Sequence, residues 1–182
     1  MKSKAYPIAV LLLFFTFLMN AQIALPTSAA NVEKSILTST EGSERHRTLL
    51  AAMRAADLED ILGFDGPFTL FAPSDRAFEK LSKEEVSALL RPENKKELYA
   101  LMTYHIVAGN FTASNILKAM CQGMGKAVFT TVQGDDIVAT MKGVDIILTD
   151  NQGNTAMITF ADAAQCNGVI HEIDGVIKPS KI

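Results

Sequence analysis

The chain has no tryptophan, two cysteines and three histidines in 182 residues. Cys121 and Cys166 are too few for a disulfide framework, and no C-x-x-C is present. One disulfide or two separate buried thiols both fit an exported protein. Charge of one sign is not concentrated anywhere. Lys and Arg number 17 against 20 Asp and Glu, with no basic block. Nucleic-acid binding is therefore disfavoured, because neutralising phosphates needs a concentrated positive surface. Catalytic signatures are missing too. There is no G-x-S-x-G elbow, and the one serine directly after a glycine is Ser43, in a polar stretch. There is no H-E-x-x-H, no His pair at helical spacing and no Gly-rich loop opening a helix. The run from Asp150 to Asn154 lacks the alternating acids of a calcium loop and reads as a hairpin turn. No metal and no cofactor are expected.

What is present begins with an export signal. Lys2 and Lys4 precede an apolar run from Ile8 to Met19, and Ser28-Ala29-Ala30 supplies small residues for cleavage. Residues 1–30 are expected to be a signal peptide, with the mature chain starting near Asn31 and placed in a secreted or periplasmic compartment. No stable membrane insertion is expected after cleavage. Without Lys2 and Lys4 the chain carries 15 basic and 20 acidic side chains, a net charge near −5. Residues 31–42 read as an N-terminal extension and 43–179 as one domain. Asn110-Phe111-Thr112 is a glycosylation sequon in a eukaryotic source.

The domain divides into a helical half and a strand half. "SERHRTLLAAMRAADLEDIL" puts Leu49, Leu50 and Met53 on one helical face, with Gly63 as its stop. "PFTLFAPS" reads as a strand ended by Pro73. Ser82 and Glu85 form an S-x-x-E capping box, with Leu81 and Val86 at the staple positions. "NKKELYALMTYHIV" places Leu98, Leu101, Met102 and His105 on one face of a further helix. From Lys126 the period becomes two, with four strands broken by Gly134, Gly143 and Gly153. "NGVIHEIDGVI" is a fifth. Helices followed by clustered strands predict an α+β fold.

In "GVIHEIDGVI" alternation sets His171 on one face and Glu172 and Asp174 on the other. The two acids cannot orient that imidazole as a carboxylate orients a catalytic base. His105 and His171 sit on apolar faces, as hydrogen-bonded core histidines do. His46 lies in a charged helix start and reads as solvated.

Three stretches in order, "GPFTLFAPSDRAFEKL", "YHIV" and "CNGVIHEIDGVIKP", resemble the first box, the Tyr-His motif and the second box of the fasciclin domain family. The resemblance covers about residues 43 to 179. It implies a β-sandwich-like wedge with packed helices, in which the two boxes pair as neighbouring core strands. The box positions Thr69, Phe71, Pro73, Asp75, Phe78, Asn167, Gly168, His171 and Asp174 are then structural. It also implies a non-enzymatic role in cell adhesion or extracellular-matrix interaction, with a matrix, envelope or cell-surface protein or polysaccharide as partner. Tyr104, His105 and Asp162 are the expected interaction surface. In animal adhesion members an Asp-Ile pair before the second box has been linked to integrin binding. Here the place reads Asp162-Ala163, so the isoleucine is not kept. Cys166 stands where small polar residues are usual. One alternative is a carrier of a small apolar ligand, a pigment or lipid, with methionines lining an adaptable pocket. The least favoured is a hydrolase using His105 or His171.

Overall fold

The computed structural model describes residues 34–180. The expected signal peptide at 1–30 and the start near Asn31 lie outside the described residues. The expected extension does not hang off the domain in its described part. It forms a helix, Ile36–Glu41 (α1), capped by the Ser35 side chain, and Ile36 is fully buried in the core.

The first expected helix is two, Arg47–Ala55 (α2) and Glu59–Phe64 (α3). Asp57 between them has φ 54, a left-handed kink that an aspartate tolerates better than most residues. Gly63 lies inside α3 and does not stop it. Strand β1 is Phe68–Pro73, followed by a short helix Asp75–Phe78 (α4) that Ser74 caps. Ser82 caps helix Lys83–Leu89 (α5) by accepting from the Glu85 amide at 3.0 Å. The Glu85 carboxylate instead meets Lys178, so the expected reciprocal capping box is only half formed.

Helix Lys95–Tyr104 (α6) ends earlier than its periodicity predicts. Ile106–Ala108 is instead a strand, β2, pairing Ile106 with Leu70 and Val107 with Thr69. Two β-branched residues gain more from a ladder beside β1 than from another helical turn. Helix Ala113–Gln122 (α7), capped by Thr112, follows. The five later strands form as expected: Lys126–Thr130 (β3), Asp136–Lys142 (β4), Asp145–Thr149 (β5), Thr155–Gln165 (β6) and Gly168–Ile173 (β7).

The strands make one sheet in the order β2-β1-β7-β6-β5-β4-β3. β1 and β7, the two boxes, run parallel from Phe68↔Gly168 to Pro73↔Ile173, and the other pairs are antiparallel. The two ends of the sheet meet: Val107 bridges Thr131, and the Val132 amide donates to Ile106 O at 2.7 Å. The fold is α+β, but the expected sandwich-like wedge is corrected to a single sheet wrapped nearly into a barrel. Twist accumulated over seven strands brings the edges together, which removes most of the exposed edge.

Alternation then divides the core. Leu70, Ala72 and Ile170 face the helices with Leu49, Met53, Leu62 and Leu101. Phe71 and Ile173 face the barrel interior with Phe129, Ile137, Leu148 and α7's Ile116 and Met120. β1 and β7 are covered on both sides, so they read as nearly continuous apolar runs.

Cys121 and Cys166 are free and exposed, which matches neither expected alternative. Cys121 is on the solvent side of α7, whose buried side is Ile116 and Met120. Cys166 is in the β6–β7 turn, its amide bonded to Lys34 O. Alkylation of the native, non-reduced protein is expected to add two labels by intact mass. A product with no label would restore the disulfide.

Candidate functional site

The box residues hold segments together. Asn167 accepts from the Ile36 amide at 2.9 Å and donates to Leu62 O and Asp65 O at 2.9 and 3.0 Å. One half-buried amide thus ties α1, α3 and the β6–β7 turn. Thr69 Oγ1 donates to Gly109 O at 2.7 Å and accepts from the Phe111 amide at 2.8 Å. Asp75 accepts from the Thr48 amide at 2.8 Å, at the start of α2. Burial pushes its carboxyl up, but the bonds from Thr48 and Arg47 and the Arg47 charge outweigh this and hold it below the usual range. Asp174 accepts from the Met157 amide at 2.7 Å and from Lys80 at 3.1 Å. Those bonds likewise overcome burial and lower it. Pro73 ends β1, and Phe78 is buried in the helical core.

His171 has both nitrogens bonded. Nε2 donates to Phe111 O at 2.7 Å, which fixes the tautomer because a carbonyl can only accept, and Nδ1 accepts from the Asp162 amide at 3.2 Å. Its ring stacks on Phe71 with centroids 5.7 Å apart. Burial holds its pKa below the usual value. His105 Nδ1 donates to Leu101 O at 2.8 Å. Its Nε2 is buried without a hydrogen-bond partner, and burial lowers its pKa to about 4. Both are core histidines.

Tyr104 donates to Asp136 O at 2.8 Å, and burial raises its pKa to about 12. Tyr104 and His105 are both 0% exposed. They are therefore withdrawn from the expected interaction surface. The end of α6 passes from the helical core, where Leu101 and Met102 lie, to the barrel core, where Tyr104 lies. Both sides of that turn are covered.

Asp162 does reach solvent, with its side chain 43% exposed. β6 bulges here: Phe160 opposes Glu172 and Ala163 opposes Ile170, so Ala161 and Asp162 together face His171. The bulge holds Asp162 at φ 62. Such an irregularity re-aims side chains and sharpens local twist. The Asp162 carboxylate accepts from the Ala113 amide at 2.7 Å, at the first residue of α7. Backbone conformation, His171 and α7 together fix one exposed anion.

On the other side of the bulge lies a polar groove that the sequence did not announce. His46, expected to be solvated, is buried. The segment before α2 folds onto β7, anchored by the Asp75 amide bonding Arg45 O at 2.8 Å. Ser43 Oγ accepts from the Arg45 amide at 3.3 Å and lies 2.7 Å from His46 Nδ1. The other ring nitrogen of His46, Nε2, faces Glu172. That atom is 3.6 Å from Glu172 Oε2, and Arg45 Nη1 is 3.1 Å from the same oxygen. Burial lowers the His46 pKa, and Glu172 opposes this in part. The Arg45 guanidinium stands 5.9 Å from the centre of the Phe160 ring. A cavity of about 210 Å³ opens beside these groups. The one sequence signal for it was the alternation that put Glu172 on the helix-facing side of a buried strand, where a carboxylate needs a partner.

Among the described residues no group of three His, Cys, Asp or Glu side chains comes together as a metal site, and no helix is long and apolar enough to cross a membrane. The model of the fasciclin domain matches residues 44–179. Protein sll1483 of Synechocystis is 36% identical over 152 residues, covering 84% of this chain and 77% of that protein. Human periostin is 35% identical over 145 residues, covering 80% of this chain and 16% of that one. The solved FAS1 domain pair of the insect cell adhesion molecule fasciclin I superposes with a TM-score of 0.70 at 17% identity, covering 79% of this chain and 50% of that one.

Proposed function

The chain belongs to the fasciclin domain family, and from that premise we propose that it is an exported, non-enzymatic adhesion or matrix-interaction module that engages its partner through the Asp162 bulge. The observation that carries this reading is the fixed, solvent-exposed Asp162 carboxylate at the bulge. Binding groups on loops and irregularities of a rigid scaffold are the usual arrangement. The box residues, by contrast, are occupied with backbone amides and carbonyls. The order of charge, apolar run and small residues in the first 30 positions supports export.

Asp162→Asn separates recognition from folding, because the amide oxygen can still accept from Ala113 while the charge is lost. The variant is expected to keep its melting temperature and to lose about tenfold or more in attachment to the producer's extracellular matrix, as for a hydrogen bond to a charged group. A folded Asp162→Asn that attaches as well as wild type would remove the site. A wild-type protein that attaches to nothing, yet carries an apolar molecule through purification, would favour the carrier reading.

A further inference from the structure

We propose that His171 is a pH latch on the Asp162 surface: neutral, it holds the bulge with its carboxylate turned to solvent, and protonated, it draws that carboxylate inward, a regulation that rests on the adhesion reading of the Asp162 site.

The latch follows from what the imidazole touches. Thr69 Oγ1 pins the segment before α7 by donating to Gly109 O and accepting from the Phe111 amide. His171 Nε2 donates to the Phe111 carbonyl of that segment at 2.7 Å. This nitrogen therefore keeps its proton, and the ring cannot turn without breaking the bond. Nδ1 is left to titrate, and its lone pair accepts from the Asp162 amide at 3.2 Å. One ring thus joins the segment before α7 to the bulge. A proton on Nδ1 turns that acceptor into a donor facing another donor, and the bond is lost.

A replacement acceptor stands beside it. Asp162 Oδ1 is 4.0 Å from Nδ1, and the same oxygen accepts from the Ala113 amide. A shift of about 1 Å brings it within hydrogen-bond distance of an Nδ1–H, in a charge-assisted bond stronger than the neutral one it replaces. The residue that must move already sits in the left-handed region, at φ 62, so moving it gives up no favoured conformation. The His171 side chain is 0% exposed and that of Asp162 43%, so a proton reaches the ring through the bulge. Among the described residues no other charge competes for it. β1 offers the Phe71 ring, α7 the Ala113 amide, and the nearby acids Glu172 and Asp174 are engaged by Arg45 and Lys80. Burial keeps the ring neutral at pH 7, with Asp162 as the charge that opposes this. The Asp162 carboxylate is therefore free at neutral pH and paired internally in acid.

NMR of the exported chain between pH 7.5 and 4.5 tests this. The His171 ring is expected to titrate below pH 6.5. The Asp162 and Ala113 amides should shift with the same midpoint, while amides of β3, β4 and β5 keep their native positions. The same titration of His105→Leu, which lacks the other fully buried imidazole, separates the latch from acid unfolding. Asp162→Asn removes the counter-charge and should move the His171 midpoint lower. Attachment to the producer's extracellular matrix should be about tenfold weaker one pH unit below the midpoint than at pH 7, because only about one molecule in ten then keeps a neutral His171. His171→Gln supplies one donor and one acceptor without titrating, and should attach equally at both pH values. If it folds poorly, the wild-type and Asp162→Asn titrations still decide. A His171 that stays neutral until the whole protein unfolds would overturn the latch. So would Asp162 and Ala113 amides that stay put as it titrates, or a midpoint unchanged by Asp162→Asn. Linked amide shifts with wild-type attachment equally strong at both pH values would uphold the latch and overturn the Asp162 reading instead.

Discussion

Gly168→Ala is expected to abolish the native fold. Gly168 opens β7 at φ +150, a conformation that L side chains rarely adopt. A Cβ built there would lie 1.9 Å from Phe68 O and 2.8 Å from Phe68 C and N. These are backbone atoms of the parallel partner, so no side chain can swing away. Separating the strands would break the β1–β7 ladder, which is packed against the helical core on one side and the barrel core on the other. It would also pull Asn167 from Ile36, Leu62 and Asp65. Backbone strain and lost packing together are expected to exceed about 4 kcal/mol. Gly143→Ala is the control. It has φ +65 but nothing within 4 Å of an added Cβ, so its cost should stay near 1 kcal/mol. Urea unfolding of both variants checks the contrast. A Gly168→Ala protein that melts within about 4 °C of wild type, roughly 1 kcal/mol at this size, would show that the approach at Phe68 can relax.

Acid is expected to unfold the protein from below about pH 6.5, with His105 as the largest single contributor. The folded-state pKa of His105 is about 4, against about 6.5 for an unfolded histidine. Between these values the unfolded chain binds a proton that the folded chain refuses, so stability falls as pH falls. The full contribution is present above pH 6.5 and is lost progressively toward pH 4, amounting to roughly 3 kcal/mol for His105 alone. His46 and His171 are also lowered by burial and add in the same direction. Asp75 and Asp174 are lowered below 3.8. Their stabilisation is present above that value and is lost further down, so the decline continues below pH 4. Denaturant unfolding at pH 7, 5.5 and 4.5 measures the slope. His105→Leu, which removes the titrating group while filling the space, should flatten it. The imidazole resonances of His105 in the wild type should stay in their neutral positions down to about pH 5. A wild-type protein equally stable at pH 7 and 4.5, or a His105 resonance that titrates near 6.5, would overturn the burial argument.

The sequence by itself determined the strand half and the facing of β7, because a period of two reports which side of a strand is apolar. Val169, His171 and Ile173 do lie on one side with Glu172 on the other. It also determined the family, through box residues whose bonds are now visible: Asn167 across three segments, Thr69 between Gly109 and Phe111, Gly168 against Phe68. Element ends were less legible. α6 stops at Tyr104 because β1 recruits Ile106 and Val107, and the first helix breaks at Asp57; a local periodicity registers neither. The site was the least legible part. Tyr104 and His105 carry a motif, yet packing covers both. His46 sits in a charged run, yet the strand bearing Glu172 arrives from the far end of the domain and buries it. Asp162 was visible as a residue, but the bulge that aims it and the α7 amide that holds it were not. Local pattern fixes which face of an element is apolar. Only tertiary packing decides which distant donor or acceptor a buried polar group meets, and which groups are left facing solvent.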